Sequence, residues 1–441
     1  MIEAALALLV VVSASPAPSP TPVASPAPVA AATPPSAAEL KSRIDAYVQP
    51  FLQDGHLSGT LLVARGADVL YERSFGMADD EHGVPNTPET RFNVASITKP
   101  MTAMLASMLF AERKLAPTDT LEKWIPGFPG GDRITIDHLL NHRAGIPHRV
   151  TTEEEENVPR TAAGMVDLAR RHKMLSEPGT QSSYSSAGYS VLARVLELAS
   201  GQSYDALVTQ RIFVPAGMTR SADATRIAPL PERARSYVAW PEGARSAPPK
   251  DLSFLVGAGS VYSTPRDLLR LLEAARAGRL GPAARDQVNA RPRVNWNGST
   301  NGFRAFLLSD TASGVTVVVA ANLTTGALDR IQADLPRLAS GEAVAPPSRL
   351  ALKRVPLTTA QVAAYTGTYL FGTTPFELTA SDGALVASGR VLVPTGDRTF
   401  LSLADYGTVT VVMRPNGTVE RLDWTAGDRV LTIPRAGPAV P

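Results

Sequence analysis

The sequence predicts an α+β fold, an antiparallel sheet with an inserted helical region, followed by a small all-β, barrel-like domain. Three observations carry this reading. Stretches that read as β-hairpins occur near residue 60 and again near residue 310 with helical periodicity between them, so one sheet is closed by the two ends of a domain. A polar, Pro-rich break follows at residues 341–348. Beyond it, turn signals such as Asp382-Gly383, Thr395-Gly396-Asp397 and Asn416-Gly417 punctuate short strands. With 441 residues, 44% hydrophobic and 19% charged, the chain can bury at least one large core and is too apolar to be disordered throughout.

Taken in order, the chain opens on an apolar stretch from Ala4 to Val12, followed by the small residues Ser13 and Ala14. Residues 1–14 therefore read as a signal peptide, since about nine apolar residues are too few to span a bilayer. Residues 15–37 alternate Pro with Ala, Ser, Thr and Val, an extended spacer with nothing to pack. Export to the periplasm or the medium is the expectation. The α+β domain is placed at 38–340, a linker at 341–355 and the β domain at 356–438.

Within the α+β domain, Leu40, Ile44, Tyr47 and Val48 recur at helical spacing. Residues 60–64 and 69–71 form the first predicted hairpin and residues 302–308 and 315–320 the second, around a turn at 311–314. A helix is expected from Ser96 to Arg113, with mixed helices and loops onward to Gly278.

Composition excludes several function classes. With 43 basic against 41 acidic groups the net charge is +2, which gives no field of the kind a nucleic acid partner requires. The chain has no cysteine, so disulfides, thiolate metal sites and a cysteine nucleophile are ruled out. Neither a G-x-S-x-G elbow nor a glycine-rich phosphate loop is present.

One local pattern points to chemistry. Ser96-Ile97-Thr98-Lys99 opens an apolar helix, and of the lysines only Lys99 has a serine three residues earlier. That spacing puts an amine beside a hydroxyl on one helix face, where it can take the hydroxyl proton; the bland alternative is an N-cap serine and a solvated lysine. Asp137, His138 and His142 could present two imidazoles at i and i+4, but no third ligand is evident and no metal is expected. The run Glu153 to Glu156 reads as a solvated acidic loop.

Three further segments follow in fixed order: Leu139 to Pro147, containing His142-Arg143-Ala144-Gly145; Pro178 to Tyr189, containing Tyr184-Ser185-Ser186; and Gly259 to Leu268. With them, roughly residues 44–325 resemble the class C β-lactamase, D-alanyl-D-alanine carboxypeptidase and esterase family of penicillin-recognising serine hydrolases. The resemblance implies the β-lactamase/transpeptidase fold and a metal- and cofactor-independent acyl-enzyme mechanism. Ser96 would be the nucleophile, Lys99 its helical partner and Tyr184 the tyrosine of the Y-x-N motif. His142 and Gly145 match a loop that is structural in the family. Residues 358–433 look like the small lipocalin-like β-barrel often attached to such enzymes, especially at Tyr365-Thr366-Gly367-Thr368-Tyr369.

Two substrate-facing positions depart from the family. Ser186 stands where Y-x-N has asparagine. The family's final motif, K-T-G or H-x-G on an edge strand, falls on Trp296-Asn297-Gly298 and implies a strand at Asn297 to Thr300, so Trp296 replaces the cation or imidazole and Ser299 would supply the second oxyanion-hole N–H beside that of Ser96. Small esters or amides, including peptidoglycan-derived peptides, are the expected substrates. The competing expectation, motivated by Ser186 and Trp296, is a weak or inactive penicillin-binding-type protein that binds cell-wall peptides. Oligomeric state is not legible.

Overall fold

A computed structural model describes residues 34–436 except 227, 351, 372–373, 388 and 427–428. The apolar leader and nearly all of the Pro-rich spacer lie outside the described residues. The described residues divide into two compact units, one of residues 58–237 and 246–323, the other of residues 34–57, 238–245 and 324–436.

The first unit is built on a five-stranded antiparallel sheet of β1 (Gly59–Arg65), β2 (Asp68–Phe75), β3 (Arg293–Thr300), β4 (Phe303–Asp310) and β5 (Val315–Ala321), in the order β3-β4-β5-β1-β2. Both expected hairpins are present. The sheet is joined through β1 and β5, which pair from Gly59↔Ala321 to Arg65↔Val315, so the early and late strands close one sheet around an inserted helical region. β5 is buried along its whole length, which explains why it is all Val and Ala apart from Thr316. From sequence, β3 was placed only at Asn297 to Thr300, through the family's edge-strand motif and not through its own pattern, because it alternates weakly and carries Asn295 and Asn297. It is the sheet edge, and its far side is open.

The helical insert contributes Thr98–Ala111, Ala162–Arg170, Ser186–Ser200 and Pro265–Arg276. Helix Thr98–Ala111 buries Met101, Met104, Leu105 and Leu109, and helix Ser186–Ser200 buries Val191, Leu192, Val195 and Leu196 in the same core. Four fully buried side chains of this size per helix, at about 1.5–3 kcal/mol each, hold the helices that carry the candidate site.

In the second unit, helices Ala37–Gln53 and Gly326–Ala339 meet through Tyr47, whose hydroxyl donates to Asp334 at 2.7 Å. Eight antiparallel strands follow, β6 (Gly367–Phe371), β7 (Thr374–Ser381), β8 (Ala384–Ala387), β9 (Arg390–Pro394), β10 (Thr399–Ser402), β11 (Thr408–Met413), β12 (Val419–Ala426) and β13 (Arg429–Pro434), paired in sequence order. A bridge between Tyr369 and Arg435 nearly closes them into a barrel. Tyr369, Phe376, Phe400, Leu422 and Trp424 fill the inside, as an eight-strand barrel allows. Helix Thr359–Tyr365 precedes the barrel where the sequence reading has only strands and turns. Its signal was the capping box Thr358/Gln361, whose reciprocal bonds are both made.

Candidate active site

Ser96 lies in a single 3-10 turn, Ala95–Ile97, that leads into helix Thr98–Ala111. The expected helix thus begins two residues later than Ser96, and neither turn nor helix has a side-chain N-cap. The capping alternative therefore fails: the Ser96 hydroxyl is used elsewhere. The turn is forced by Ala95, which is left-handed at φ 45°, a conformation costing an L-residue roughly 1–2 kcal/mol. Fully buried Asn93 holds it there. Its Oδ1 accepts from the Ala95 N–H at 2.9 Å, while its Nδ2 donates to the carbonyls of Gly259 at 3.0 Å and Val261 at 3.3 Å. Sequence reasoning passed over Asn93, because the two carbonyls it binds lie more than 160 residues away.

Lys99 is 5% exposed, and its Nζ donates to Ser96 Oγ at 3.2 Å, Ser186 Oγ at 3.2 Å and the Ala258 carbonyl at 2.9 Å. All three ammonium protons are placed, none on a carboxylate. A buried cation with only neutral partners favours negative charge on the oxygens around it. The Tyr184 hydroxyl donates to Ser96 Oγ at 2.7 Å, and Lys99 Nζ lies 4.7 Å from the centre of the Tyr184 ring. One hydroxyl thus sits within proton-transfer distance of both an amine and a phenol, an arrangement that can make a nucleophile and later return the proton.

Tyr184 is set by the start of helix Ser186–Ser200. Ser185 is the N-cap, accepting from the Gly188 N–H at 2.8 Å and donating to the Pro147 carbonyl at 2.9 Å. The His142 ring packs against Tyr184 at 4.5 Å between centres and the His148 ring at 5.4 Å. Burial and then the Lys99 charge pull the imidazoles down, His142 to about 4 and His148 to about 3, so both are neutral near pH 7. His142 and His138 do not converge as an i, i+4 pair. The His138 ring accepts from the Thr135 N–H as part of a helix cap, whereas His142 faces Tyr184.

The solvated reading of the acidic run is wrong for Glu156. That side chain is fully buried and bonded to Arg149 at 2.5 Å and 2.7 Å, Thr151 at 2.8 Å and Lys250 at 2.7 Å. Two cations and a hydroxyl satisfy the carboxylate, the condition under which a charge can be buried.

β3 brings the last elements. Its turn to β4 holds Asn301 at φ 41° and Gly302 at φ 84°, the two left-handed residues of a two-residue hairpin, so Thr300 and Phe303 are the hydrogen-bonded pair. Antiparallel alternation then directs the N–H of Ser299 away from β4, to the open edge. Gly298 presses on the Ser96 turn: a Cβ there would stand 2.1 Å from the Val94 carbonyl and 3.0 Å from the Ser96 nitrogen. Hence Ser299 follows a glycine that touches the turn of Ser96, whose own N–H begins a helix without an intrahelical partner. Two N–H groups so placed can bind an oxyanion. Trp296 shares the Gly298 face and is partly buried against the core. Asn297 donates to Asn295, and its Oδ1 is buried without a partner. Ser186 faces Lys99 rather than open space.

A serine, lysine and tyrosine on this sheet-and-helix scaffold define the class of penicillin-recognising serine hydrolases. Residues 44–340 match the Beta-lactamase family, and the chain belongs to that family. It is 31% identical over 235 residues to a Bacillus subtilis (strain 168) protein named as a penicillin-binding protein, PbpX, a match covering 53% of this chain. The chain spans little more than half, 58%, of that relative's length. It is also 31% identical over 344 residues to Esterase EstB of Burkholderia gladioli, covering 66% of this chain and 86% of the esterase. The crystal structure of a penicillin binding protein from Bacillus halodurans superposes with a TM-score of 0.58 at 25% identity, covering 66% of this chain and 99% of that one.

Proposed function

We propose that the protein is a metal-independent serine hydrolase that cleaves small esters or amides through an acyl-enzyme on Ser96. The observation that carries this reading is the convergence of Lys99 Nζ and Tyr184 Oη on Ser96 Oγ at 3.2 Å and 2.7 Å. In the acylation step the Tyr184–Lys99 pair acts as base in the form that holds one proton fewer than an ammonium and a phenol together: Ser96 Oγ attacks the carbonyl carbon, its proton fills that vacancy on the pair, and the N–H groups of Ser96 and Ser299 take the oxyanion. The pair returns the proton to the leaving group. Water then repeats the sequence to release the acid.

Neutral esters are the favoured substrates. A β-lactam or D-alanyl peptide presents a carboxylate that needs a donor, and Trp296 offers an apolar ring at that position. Identity to an esterase over most of that enzyme's length supports the same reading. The inactive-binder alternative rested on Ser186 and Trp296; Ser186 keeps a bond to Lys99, so that alteration leaves the proton-transfer group intact. The purified chain is expected to hydrolyse a short-chain p-nitrophenyl ester at least about 100-fold better in kcat/KM than a penicillin or cephalosporin, roughly 2.7 kcal/mol of differential stabilisation. Faster turnover of the β-lactam would contradict it. We infer in addition that the chain is exported, which N-terminal sequencing after fractionation tests; an unprocessed Met1 in the cytoplasm would refute that inference.

A further inference from the structure

Each of two histidines grips the segment that carries Tyr184 with both its carbonyl and its ring. The His142 carbonyl accepts from the Ser183 N–H at 2.8 Å and its Nδ1 from the Ser185 N–H at 3.2 Å. The His148 carbonyl accepts from the Ala187 N–H at 3.2 Å and its Nδ1 from the Ser186 N–H at 3.3 Å. Four backbone N–H groups flanking Tyr184 are thus held by two residues, and those of Ser186 and Ala187 are orphan donors of a helix N-terminus. His148 has the further consequence that the residue it holds, Ser186, carries the hydroxyl bonded to Lys99.

We propose that His148 is a positioning residue of the active site: its unprotonated Nδ1 fixes Ser186, and through Ser186 and the Tyr184 ring it sets the distances of Lys99 and Tyr184 to Ser96. The inference rests on the hydrolase reading above and deepens it. The role requires an acceptor at Nδ1 and hence a neutral ring with its proton on Nε2. The groups around the ring enforce that state. Lys99, Arg149 and His142 act on it with like charge or the capacity for it, Tyr184 packs on its face, and Arg149 is itself bound by Glu156.

Replacement by Asn keeps an acceptor at the Nδ1 position, while Leu removes it at similar bulk. With the full chain and a fluorophosphonate probe followed by intact mass, His148→Leu is expected to slow acylation by about 100-fold, the scale of a 1 Å misplacement, with a smaller change in KM for the ester. His148→Asn is expected to restore the rate to within about 5-fold of wild type. A folded His148→Leu acylated at the wild-type rate would overturn the proposal, as would an Asn variant no faster than Leu. Failure of the wild-type chain to react at all would instead refute the hydrolase reading. Independently of activity and of how the variants fold, 15N-histidine NMR of the wild-type chain should show His148 neutral with the proton on Nε2 at pH 6; a charged ring or an Nδ1–H tautomer there would overturn the proposal.

Discussion

At the scale of single residues, the site depends on one buried ammonium shared among three oxygens. Lys99→Ala and Tyr184→Phe should each reduce acylation by about 100- to 10,000-fold with little effect on KM, the range of a lost general acid–base group, as stopped-flow ester hydrolysis would read. The two neutral histidines add a pH signature to stability. Their folded-state values, about 4 and about 3, lie below the ordinary 6.5, so the unfolded chain binds more protons between those limits. Their contribution is complete above pH 6.5 and is lost as pH falls, by up to about 1.4 kcal/mol per pH unit for each ring. Thermal melts from pH 7 to 4 should therefore decline, and less steeply in His148→Asn. An unchanged slope would mean the ring does not stay neutral in the fold. At this scale Ser96, Lys99 and Tyr184 were legible because a one-turn spacing and an ordered set of motifs point to them. Asn93 and His148 were not, because what they do depends on backbone groups far away in sequence, and Glu156 was misread because its cations, Arg149 and Lys250, come from separate loops.

At the scale of elements, the Ser96 turn and the β3 edge fit each other through an absent side chain. Gly298→Ala would put a methyl 2.1 Å from the Val94 carbonyl, which must push β3 and the Ser96 turn apart. The expected result is loss of ester hydrolysis by at least about 100-fold, with a folded far-ultraviolet spectrum. Asn93→Ala should leave the Ala95 N–H and the Gly259 carbonyl without their partner at about 1–3 kcal/mol, visible as a lower Tm together with reduced acylation. Strand pairs β1–β2 and β4–β5 were readable because their apolar runs are flanked by turn residues. β3 was readable only through the family's edge-strand motif: its asparagines suit an edge that leaves one side unpaired, and they erase the alternation by which a strand is recognised.

At the scale of the whole molecule, family membership covers residues 44–340, while the barrel has its own aromatic core. Phe400, 1% exposed, is packed edge-on against Tyr365. Phe400→Ala should cost about 3–5 kcal/mol and open residues 367–434 to limited proteolysis while Ser96 labelling persists. Loss of both together would mean that the two units do not fold separately. The barrel was legible from turn spacing, which follows strand length directly. The filling of its interior was not, since it depends on which alternate residues point inward. The most direct test of the catalytic reading is intact mass and peptide mapping of the full chain after fluorophosphonate treatment. A single adduct on Ser96, absent from Ser96→Ala along with ester hydrolysis, is the expected result; an adduct on another residue, or ester hydrolysis that survives in Ser96→Ala, would contradict it.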